Sequence, residues 1–279
     1  MSSIIKRITR ANYYRKIFFD NKEDITWLSS ILEDKKSVDT LNNLISSYCT
    51  CWHSPEYYYR KAASKSCTEH HFVTEGGYEV KGVENPYFLS EIFDLNKCGV
   101  FLDGGAYIGD TIEIAQKYIP NLRLIYAFEP NKETYKRLID NKRIKRTGVK
   151  FFNNGLGKQE GEFRFTNDDA GSRISDEGSE EIHVLSAGEF VSGLGKDELP
   201  DFIKLDIEGA ELDVIESLDM FIARYKPDLA ISIYHKLEDL WTIPLKLKLF
   251  CPEYHIYIRH QSNYYTETIC YATTHRSKE

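Results

Sequence analysis

Short apolar runs alternate with amphipathic stretches of helical period from about residue 84 onward. The apolar runs predict β-strands at 99–103, 123–128, 149–154, 201–206 and 227–233. The helical pattern covers segments near 110–118, 131–140, 208–218 and 236–249. Strands that alternate with helices are typical of a mostly parallel sheet with helices on both faces. The pattern therefore predicts an α/β fold for residues 84–279.

The end of this region departs from the alternation. Two strand-like runs, Tyr254–Ile258 and Glu267–Ala272, are joined by a polar turn and have no helix between them. Because a parallel connection needs a crossover, we expect the last strand to be antiparallel. A long polar excursion, 155–200, separates the third and fourth strands. Within it, 162–165 and 182–184 predict a small hairpin beside the sheet.

Residues 1–83 have a different character, being polar, aromatic and helix-prone. Two apolar series recur at helical spacing: Ile25, Leu28, Ile31 and Leu32, and then Leu41, Leu44, Ile45 and Tyr48. Ser37 is the predicted cap of the second helix. Residues 52–83 are predicted to be irregular, with a turn at Gly76-Gly77. We therefore predict an N-terminal extension, 1–83, which could be a homo-oligomerisation arm, a lid or additional cover for the core.

Composition and charge exclude several classes of protein. The 279 residues include 36 Lys and Arg against 43 Asp and Glu, a net charge of −7. Because no long basic run is present, no nucleic-acid partner is expected. No apolar stretch is long enough to span a bilayer, and the first residues lack the apolar core of a signal peptide. The six cysteines contain no C-x-x-C pair and predict free thiols. We therefore expect a soluble cytoplasmic protein.

A glycine-rich turn within 101–111 joins the first strand of the α/β region to its first helix. Gly104, Gly109 and Thr111 nearly fit the phosphate-binding spacing G-x-x-x-x-G-K-[ST], but Asp110 stands in the lysine position and would repel a triphosphate. The dinucleotide spacing G-x-G-x-x-G fails at Ala106, whose methyl group would crowd a pyrophosphate. These departures favour a positively charged nucleoside ligand such as S-adenosylmethionine (SAM).

Polar side chains follow every predicted strand of the parallel set. They are Asp103 after the first strand, Glu129 after the second, Asn153 and Asn154 after the third, Asp206 and Glu208 after the fourth, and His235 after the fifth. Because the carboxyl ends of parallel strands share one edge, where ligands of open α/β sheets bind, we expect these groups to form an active site.

Each part of the predicted cofactor site has a physical task. The glycine turn lets the backbone approach the methionyl part of SAM, and the helix that follows offers N–H groups to its carboxylate. Asp103 and Asp110 can balance the positive charge, while Glu129 can accept hydrogen bonds from ribose hydroxyls. Asn153 or Asn154 is expected to help form an adenine slot. The predicted cofactor-binding residues are Asp103, Gly104, Gly105, Ala106, Gly109, Asp110, Thr111, Glu129, Asn154, Gly155 and Leu156.

The predicted catalytic residues are His235, Asp206 and Glu208. Imidazole titrates near neutral pH, so His235 is the first candidate for the base that takes a proton from the acceptor. The two carboxylates could orient His235 or bind acceptor hydroxyls. The three groups could instead hold a divalent metal cation that lowers the pKa of the acceptor. Arg173 and Lys236 are candidates for binding a phosphate or carboxylate of the substrate.

Four sequence blocks resemble the FkbM family of SAM-dependent methyltransferases. They are Leu102–Thr111, Tyr126–Pro130, Phe202–Glu211 and Lys226–Pro244. The resemblance implies a Rossmann-like methyltransferase fold with a final antiparallel strand. It also implies methyl transfer from SAM, often to a hydroxyl of a sugar, glycan or natural product. N-methylation of a small amine and an NAD-type Rossmann oxidoreductase are the alternative functions.

Overall fold

The computed structural model describes residues 3–50, 69–73, 79–165, 180–262 and 265–275. Its strands are β1 Glu69–Val73, β2 Glu79–Val83, β3 Val100–Gly104, β4 Leu124–Phe128, β5 Val149–Phe152, β6 Gly155–Gly157, β7 Gly161–Phe165, β8 Glu180–Ser186, β9 Phe202–Leu205, β10 Asp228–Ser232, β11 His255–His260 and β12 Thr268–Thr273. Its helices are α1 Ser3–Asp20, α2 Lys22–Ile31, α3 Lys35–Thr50, α4 Asp110–Tyr118, α5 Lys132–Asp140, α6 Ala187–Ser192, α7 Glu211–Ser217, α8 Asp219–Tyr225 and α9 Asp239–Phe250.

Seven of these strands form the central sheet, in the order β11-β12-β10-β9-β3-β4-β5. The five strands from β10 to β5 run parallel to their neighbours, whereas β12 is antiparallel to both β10 and β11. This arrangement confirms the predicted Rossmann-like methyltransferase sheet, mostly parallel with an antiparallel last strand. The helix predicted at 208–218 begins later, at Glu211, because Glu208 and Gly209 have φ values of 56° and 97° that no right-handed helix contains.

Alternate residues of each strand face two separate cores. Val100 and Leu102 on β3 belong to a core that includes residues of α1–α3 and α6–α9. Phe101, between them, belongs to a second core with residues of α4 and α5. The segment before β3 also covers this second face, where Phe88 packs edge-on against Phe101 at a centroid distance of 5.2 Å. The sheet is thus buried on both faces, which accounts for its continuous apolar strands.

The polar excursion forms a second, three-stranded sheet in the order β6-β8-β7. The predicted hairpin is confirmed, since β7 and β8 pair antiparallel with Glu162 opposite His183. The short strand β6 was not predicted. It runs parallel to β8 and follows β5 after only two residues, so the small sheet begins at the carboxyl edge of the large one.

The N-terminal helices pack against the far edge of the central sheet and share its first core. Ser37 does not cap α3 as predicted, because Asp34 Oδ1 accepts the hydrogen bond from the Ser37 N–H at 2.7 Å. The Ser37 hydroxyl instead accepts from the backbone N–H of Ile258 on β11 at 3.0 Å. The capping site therefore lies three residues earlier, and Ser37 ties the helix to the sheet.

The prediction of irregular structure for 52–83 is wrong for two segments, because β1 and β2 pair as an antiparallel hairpin. The predicted turn at Gly76-Gly77 lies outside the described residues. The division of the chain at residue 84 remains a prediction. Among the helices that the structure describes, none combines the length and the hydropathy needed to cross a bilayer.

Candidate active site

The order of the central strands creates a crevice between β3 and β9. The chain moves from β3 to β4 and β5 on one side, and then returns to β9 and β10 on the other. Ligands of open α/β sheets bind outside the carboxyl ends of the strands at such a switch point. Asp103, Glu129, Asp206 and His235 end or follow the four strands around this crevice, so the structure brings them to one rim.

The glycine turn fits tightly between β4 and β9. The N–H groups of Gly105 and Ala106 both donate to the carbonyl of Phe128, at 3.1 and 2.9 Å. Gly105 has a φ of +78°, and a Cβ atom there would lie 1.9 Å from the carbonyl oxygen of Asp206. Only glycine meets both requirements, so this turn keeps a bare backbone surface beside the crevice.

Non-glycine residues with positive φ concentrate at the same rim. Tyr107, Glu208 and Glu267 have φ values of 46°, 56° and 63°. Each such conformation costs about 1–3 kcal/mol, and strained residues of this kind cluster at functional sites. The strain supports the placement of a binding site here independently of the polar groups.

Asp103 is fully buried and paired with a lysine that the sequence prediction left out. Lys204 on β9 lies beside Asp103 on β3, and its Nζ is 3.0 Å from Asp103 Oδ1. The same ammonium donates to the carbonyls of Gly104 at 3.1 Å and Gly105 at 2.6 Å. Burial raises the pKa of Asp103, and the charge of Lys204 opposes that rise. Lys204 therefore holds the glycine turn and compensates a charge that was predicted, together with Asp110, to balance the positive charge of the ligand.

Glu129 is buried at the start of the segment after β4, and both its carboxylate oxygens accept backbone hydrogen bonds. Oε2 accepts from the Tyr107 N–H at 3.0 Å, and Oε1 accepts from the Asn131 N–H at 2.9 Å. Burial raises the pKa of this carboxyl to about 7, although the two hydrogen bonds oppose the rise. Each oxygen retains a second lone pair, so the group can still accept from ribose hydroxyls.

The two asparagines predicted for the adenine slot make different contacts. Asn153 donates to the carbonyls of Glu129 and Pro130, at 2.9 and 3.1 Å, and so fixes the turn after β4. The Asn154 amide lies 2.9 Å from His183 Nδ1 on β8 and thus contacts the small sheet. Gly155 and Leu156 belong to β6 and are buried, and Leu156 Cδ1 lies 3.3 Å from a Cβ placed on Gly104.

The N-terminus of α4 directly follows the glycine turn. Gly109 precedes the helix with a φ of +90°, and Thr111 is buried in the first turn. Asp110 has solvent-exposed surface, but desolvation of its carboxyl by the surrounding protein raises its pKa, and the charge of Lys204 opposes that rise. The helix presents a positive dipole end that favours an anionic group, and the Asp110 carboxylate already accepts from the backbone N–H groups of Asp110 and Thr111.

His235 lies at the centre of three carboxylates. Its Nδ1 is 2.8 Å from Glu211 Oε1, and its Nε2 is 3.4 Å from Glu208 Oε2 and 3.6 Å from Asp206 Oδ1. Burial by itself lowers the pKa of the ring, but the contact with Glu211 and the neighbouring charges outweigh it and raise the pKa to about 9. At neutral pH the imidazole is therefore protonated, and it can accept a proton only under alkaline conditions.

Two tyrosines hold the carboxylate of Asp206. The Tyr234 hydroxyl donates to Oδ1 at 3.0 Å, and the Tyr87 hydroxyl donates to Oδ2 at 2.9 Å. Burial raises the pKa of Asp206, but Lys204 and His235 outweigh it, so the pKa is lowered and the group is ionised. Glu267 lies before β12 at the same rim, where burial and the charge of Asp206 raise its pKa to about 8.

The two predicted substrate-binding residues have different outcomes. Lys236 is exposed, and its Cε lies 3.2 Å from a Cβ placed on Gly209, beside the turn that carries Glu208. Arg173 lies outside the described residues.

Sequence reasoning overlooked Lys204, Glu211, Tyr87, Tyr234 and Glu267. A lysine inside the apolar strand Phe202–Leu205 was a usable signal for the first of these. Glu211 occupies the first turn of α7, and its Oε1 accepts from the Ile207 N–H at 2.8 Å. Tyr87 precedes β3 in a segment without regular structure, and no sequence pattern indicates its position.

Comparison with known proteins agrees with this geometry. The family "Methyltransferase FkbM domain" matches residues 103–255. A hexuronic acid methyltransferase, AglP, from Haloferax volcanii is 32% identical over 98 residues, which cover 34% of this chain and 41% of the relative. The crystal structure of methyltransferase FkbM from Methylobacillus flagellatus KT superposes with a TM-score of 0.61 at 22% identity, covering 92% of this chain and 60% of that one. The chain thus spans less than two thirds of either protein. Because the family match covers more than half of the chain, including the glycine turn and the His235 cluster, this protein belongs to the FkbM methyltransferase domain family.

Proposed function

We propose that this protein transfers the methyl group of SAM to a hydroxyl of a sugar or glycan. The observation that carries the proposal is the rim between β3 and β9, where the glycine turn, Glu129 and the cluster around His235 lie together. Membership of the FkbM family supports the reaction class over an NAD-type oxidoreductase. The hexuronic acid methyltransferase similarity supports a sugar acceptor.

The cofactor site fits the parts of SAM. The bare backbone at Gly105 accommodates a close approach of the methionyl chain, and the start of α4 suits its carboxylate. Glu129 lies where ribose hydroxyls can donate to it. Gly155 and Leu156, with Asn154, border the proposed adenine slot. Asp103 and Asp110 supply negative charge near the cationic donor, with Asp103 already paired to Lys204.

Methyl transfer requires alignment of the acceptor and a destination for its proton. When bound, SAM supplies the methyl carbon: the acceptor oxygen bonds to it while the carbon–sulfur bond breaks and its electron pair stays on sulfur. The acceptor proton passes to a group of the protein. Because His235 has a pKa of about 9, the groups able to accept it at neutral pH are the carboxylates of Asp206 and Glu208. His235 takes this role only at alkaline pH, and otherwise orients the carboxylates.

Lys236 is the proposed contact for an acidic group on the acceptor. Its side chain is exposed beside the Glu208 turn, so an acceptor that reaches the carboxylates also reaches the ammonium. The carboxylate of a hexuronic acid is such a group. Arg173 is proposed for the same task.

The first experiment measures binding of S-adenosylhomocysteine (SAH) and NAD to the full chain by calorimetry. Uptake of SAH and not NAD is expected. Absence of SAH uptake would remove the proposal.

The second experiment measures transfer from methyl-labelled SAM to glucuronic acid and glucose glycosides and to a small amine. We expect labelled methyl ethers of the uronic acid, reduced more than tenfold in Glu208→Ala and His235→Ala. Lys236→Gln should raise KM for the uronic acid and leave KM for the neutral sugar unchanged. Transfer only to the amine, or full activity in Glu208→Ala and His235→Ala, would refute the proposed chemistry.

A further inference from the structure

The carboxylates around His235 are arranged unequally about its two ring nitrogens. Glu211 alone lies against Nδ1, at 2.8 Å. Asp206 and Glu208 lie against Nε2, at 3.6 and 3.4 Å. Glu211 is fully buried, whereas the Glu208 side chain is 33% exposed and borders the crevice. The ring thus has a closed side and a side that opens toward the proposed acceptor.

The open side carries a polar atom whose hydrogen-bonding capacity is unused. The His235 side chain is only 8% exposed, and within the described residues neither ring nitrogen has a hydrogen bond of good geometry. Nδ1 has Glu211 Oε1 at 2.8 Å, whereas no carboxylate oxygen lies closer to Nε2 than 3.4 Å. The two carboxylate oxygens that face it are too far away for good hydrogen bonds. A buried polar group left in this way calls for a ligand that satisfies it.

The spacing around Nε2 matches the ligand set of a metal ion. Nitrogen and oxygen ligands bound at about 2.1 Å lie roughly 3.0–3.4 Å apart in octahedral or tetrahedral geometry. The separation of Nε2 from Glu208 Oε2, 3.4 Å, lies at the upper end of this range, and that from Asp206 Oδ1, 3.6 Å, lies slightly above it. A ligating histidine also commonly presents its other nitrogen to a carboxylate, which fixes the ring. Glu211 occupies that position against Nδ1.

We propose that Asp206, Glu208 and His235 hold one divalent cation, with Glu211 as the residue that positions the histidine ring. Two carboxylates and one imidazole suit a cation such as Mg²⁺ or Mn²⁺, completed by water or an acceptor oxygen. The imidazole, which is protonated at neutral pH without a cation, would release the Nε2 proton to solvent when the cation binds. The carboxylates of Asp206 and Glu208 concentrate negative charge at the point where the cation would lie. Asp206 is further held by Tyr87 and Tyr234, so this ligand is fixed before a cation arrives.

The cation would bind the acceptor hydroxyl and lower its pKa, so the proton leaves more easily. This catalytic role rests on the proposed methyl transfer, whereas binding of the cation does not. Asp206, Glu211 and His235 each place one potential ligand atom within 4.8 Å of the others. We assign Glu211 to the outer position because Nδ1 faces away from Asp206 and Glu208, which both face Nε2.

The test uses Mn²⁺ as the probe and electron paramagnetic resonance of the full chain, with SAH binding measured on the same samples. We expect one saturable Mn²⁺ per chain. Glu208→Gln should weaken it at least tenfold, because a first ligand is lost from the accessible side of the site. Glu211→Gln should weaken it about 10–100-fold through the ring orientation. The control is Glu238→Gln, an exposed acid of the same rim that faces solvent, and it should bind Mn²⁺ as the wild type does.

Absence of saturable Mn²⁺ binding, or equal affinity in the wild type and Glu208→Gln, would overturn the inference. SAH uptake without Mn²⁺ uptake would overturn the cation site and leave the methyl-donor site standing. Mn²⁺ uptake without SAH uptake would support the cation site and remove the proposed function. The melting temperature of each variant, with and without Mn²⁺, shows whether a loss reflects unfolding, and Glu208→Gln is the variant least exposed to that risk.

Discussion

Replacement of Lys204 by Met should be among the most damaging single changes in this protein. The Lys204 side chain is 2% exposed, and its ammonium pairs with Asp103 at 3.0 Å and donates to the carbonyls of Gly104 and Gly105. Its loss leaves Asp103 as a buried charge without a partner, which costs about 3–5 kcal/mol in comparable pairs. That is a large part of the free energy of unfolding of a typical domain, which is roughly 5–15 kcal/mol. Because the glycine turn also loses two donors, SAH affinity should fall with stability.

The assay is urea unfolding at 15 °C of Lys204→Met and of the double variant Asp103→Asn/Lys204→Met. The double variant removes the charge as well as its partner and should recover most of the stability. Burial raises the pKa of Asp103, so the folded single variant holds a proton more tightly than the unfolded chain does. Its stability should therefore fall as pH rises, and its deficit against the wild type should be smaller at pH 5.5 than at pH 8. This reasoning would be refuted if Lys204→Met lowered the free energy of unfolding by less than about 1 kcal/mol, or if the double variant were no more stable than Lys204→Met.

Three further predictions concern the turn, the cofactor acid and the N-terminal helices. Gly105→Ala should abolish SAH binding because its Cβ would lie 1.9 Å from a backbone oxygen, whereas Gly195→Ala, with 3.7 Å of clearance, should bind normally by calorimetry. SAH affinity should fall about tenfold from pH 8 to pH 6, because Glu129, with a pKa of about 7, takes up a proton in this range. Glu129→Gln should lose this pH dependence of SAH affinity, and the exposed control Glu133→Gln should keep it. Asp34→Ala should cost about 2 kcal/mol in urea unfolding, because the buried Arg259 loses its nearest carboxylate and keeps, among the described residues, only that of Glu91 at 3.4 Å, and because α3 loses its cap. Asp39→Ala, at an exposed pair, should cost less than about 1 kcal/mol, and equal costs in the two variants would contradict this assignment.

Much of the sheet follows from local sequence patterns. Each local pattern extends over fewer than a dozen residues, as in the apolar strands at 99–103 and 201–206 and the helical period after the glycine turn. Such a pattern favours the same strand or helix whatever the segment packs against. The antiparallel last strand followed from the missing crossover helix. The prediction was wrong over 69–73 and 79–83, because nothing in that segment shows a clear alternation, and pairing between two short strands supplies the structure instead.

The active-site rim was predictable in its position but not in its charge state. Asp103, Glu129, Asp206 and His235 were identified because each follows a strand of one parallel set. The pairing of Asp103 with Lys204 depends on which strand lies beside β3, and that neighbour is a hundred residues away in the chain. The prediction also treated His235 as a base near neutral pH, whereas three carboxylates keep it protonated.

The sequence by itself determined the strands, the glycine turn and the edge at which the polar groups collect, because these depend on residues that are neighbours in the chain. Only the tertiary structure decided that Tyr87 reaches Asp206, that Glu211 and Glu208 face opposite nitrogens of His235, and that Lys204 lies beneath the glycine turn. Those contacts join segments that are distant in the chain. The burial and the neighbouring charges that shift a pKa exist only once these segments have packed together.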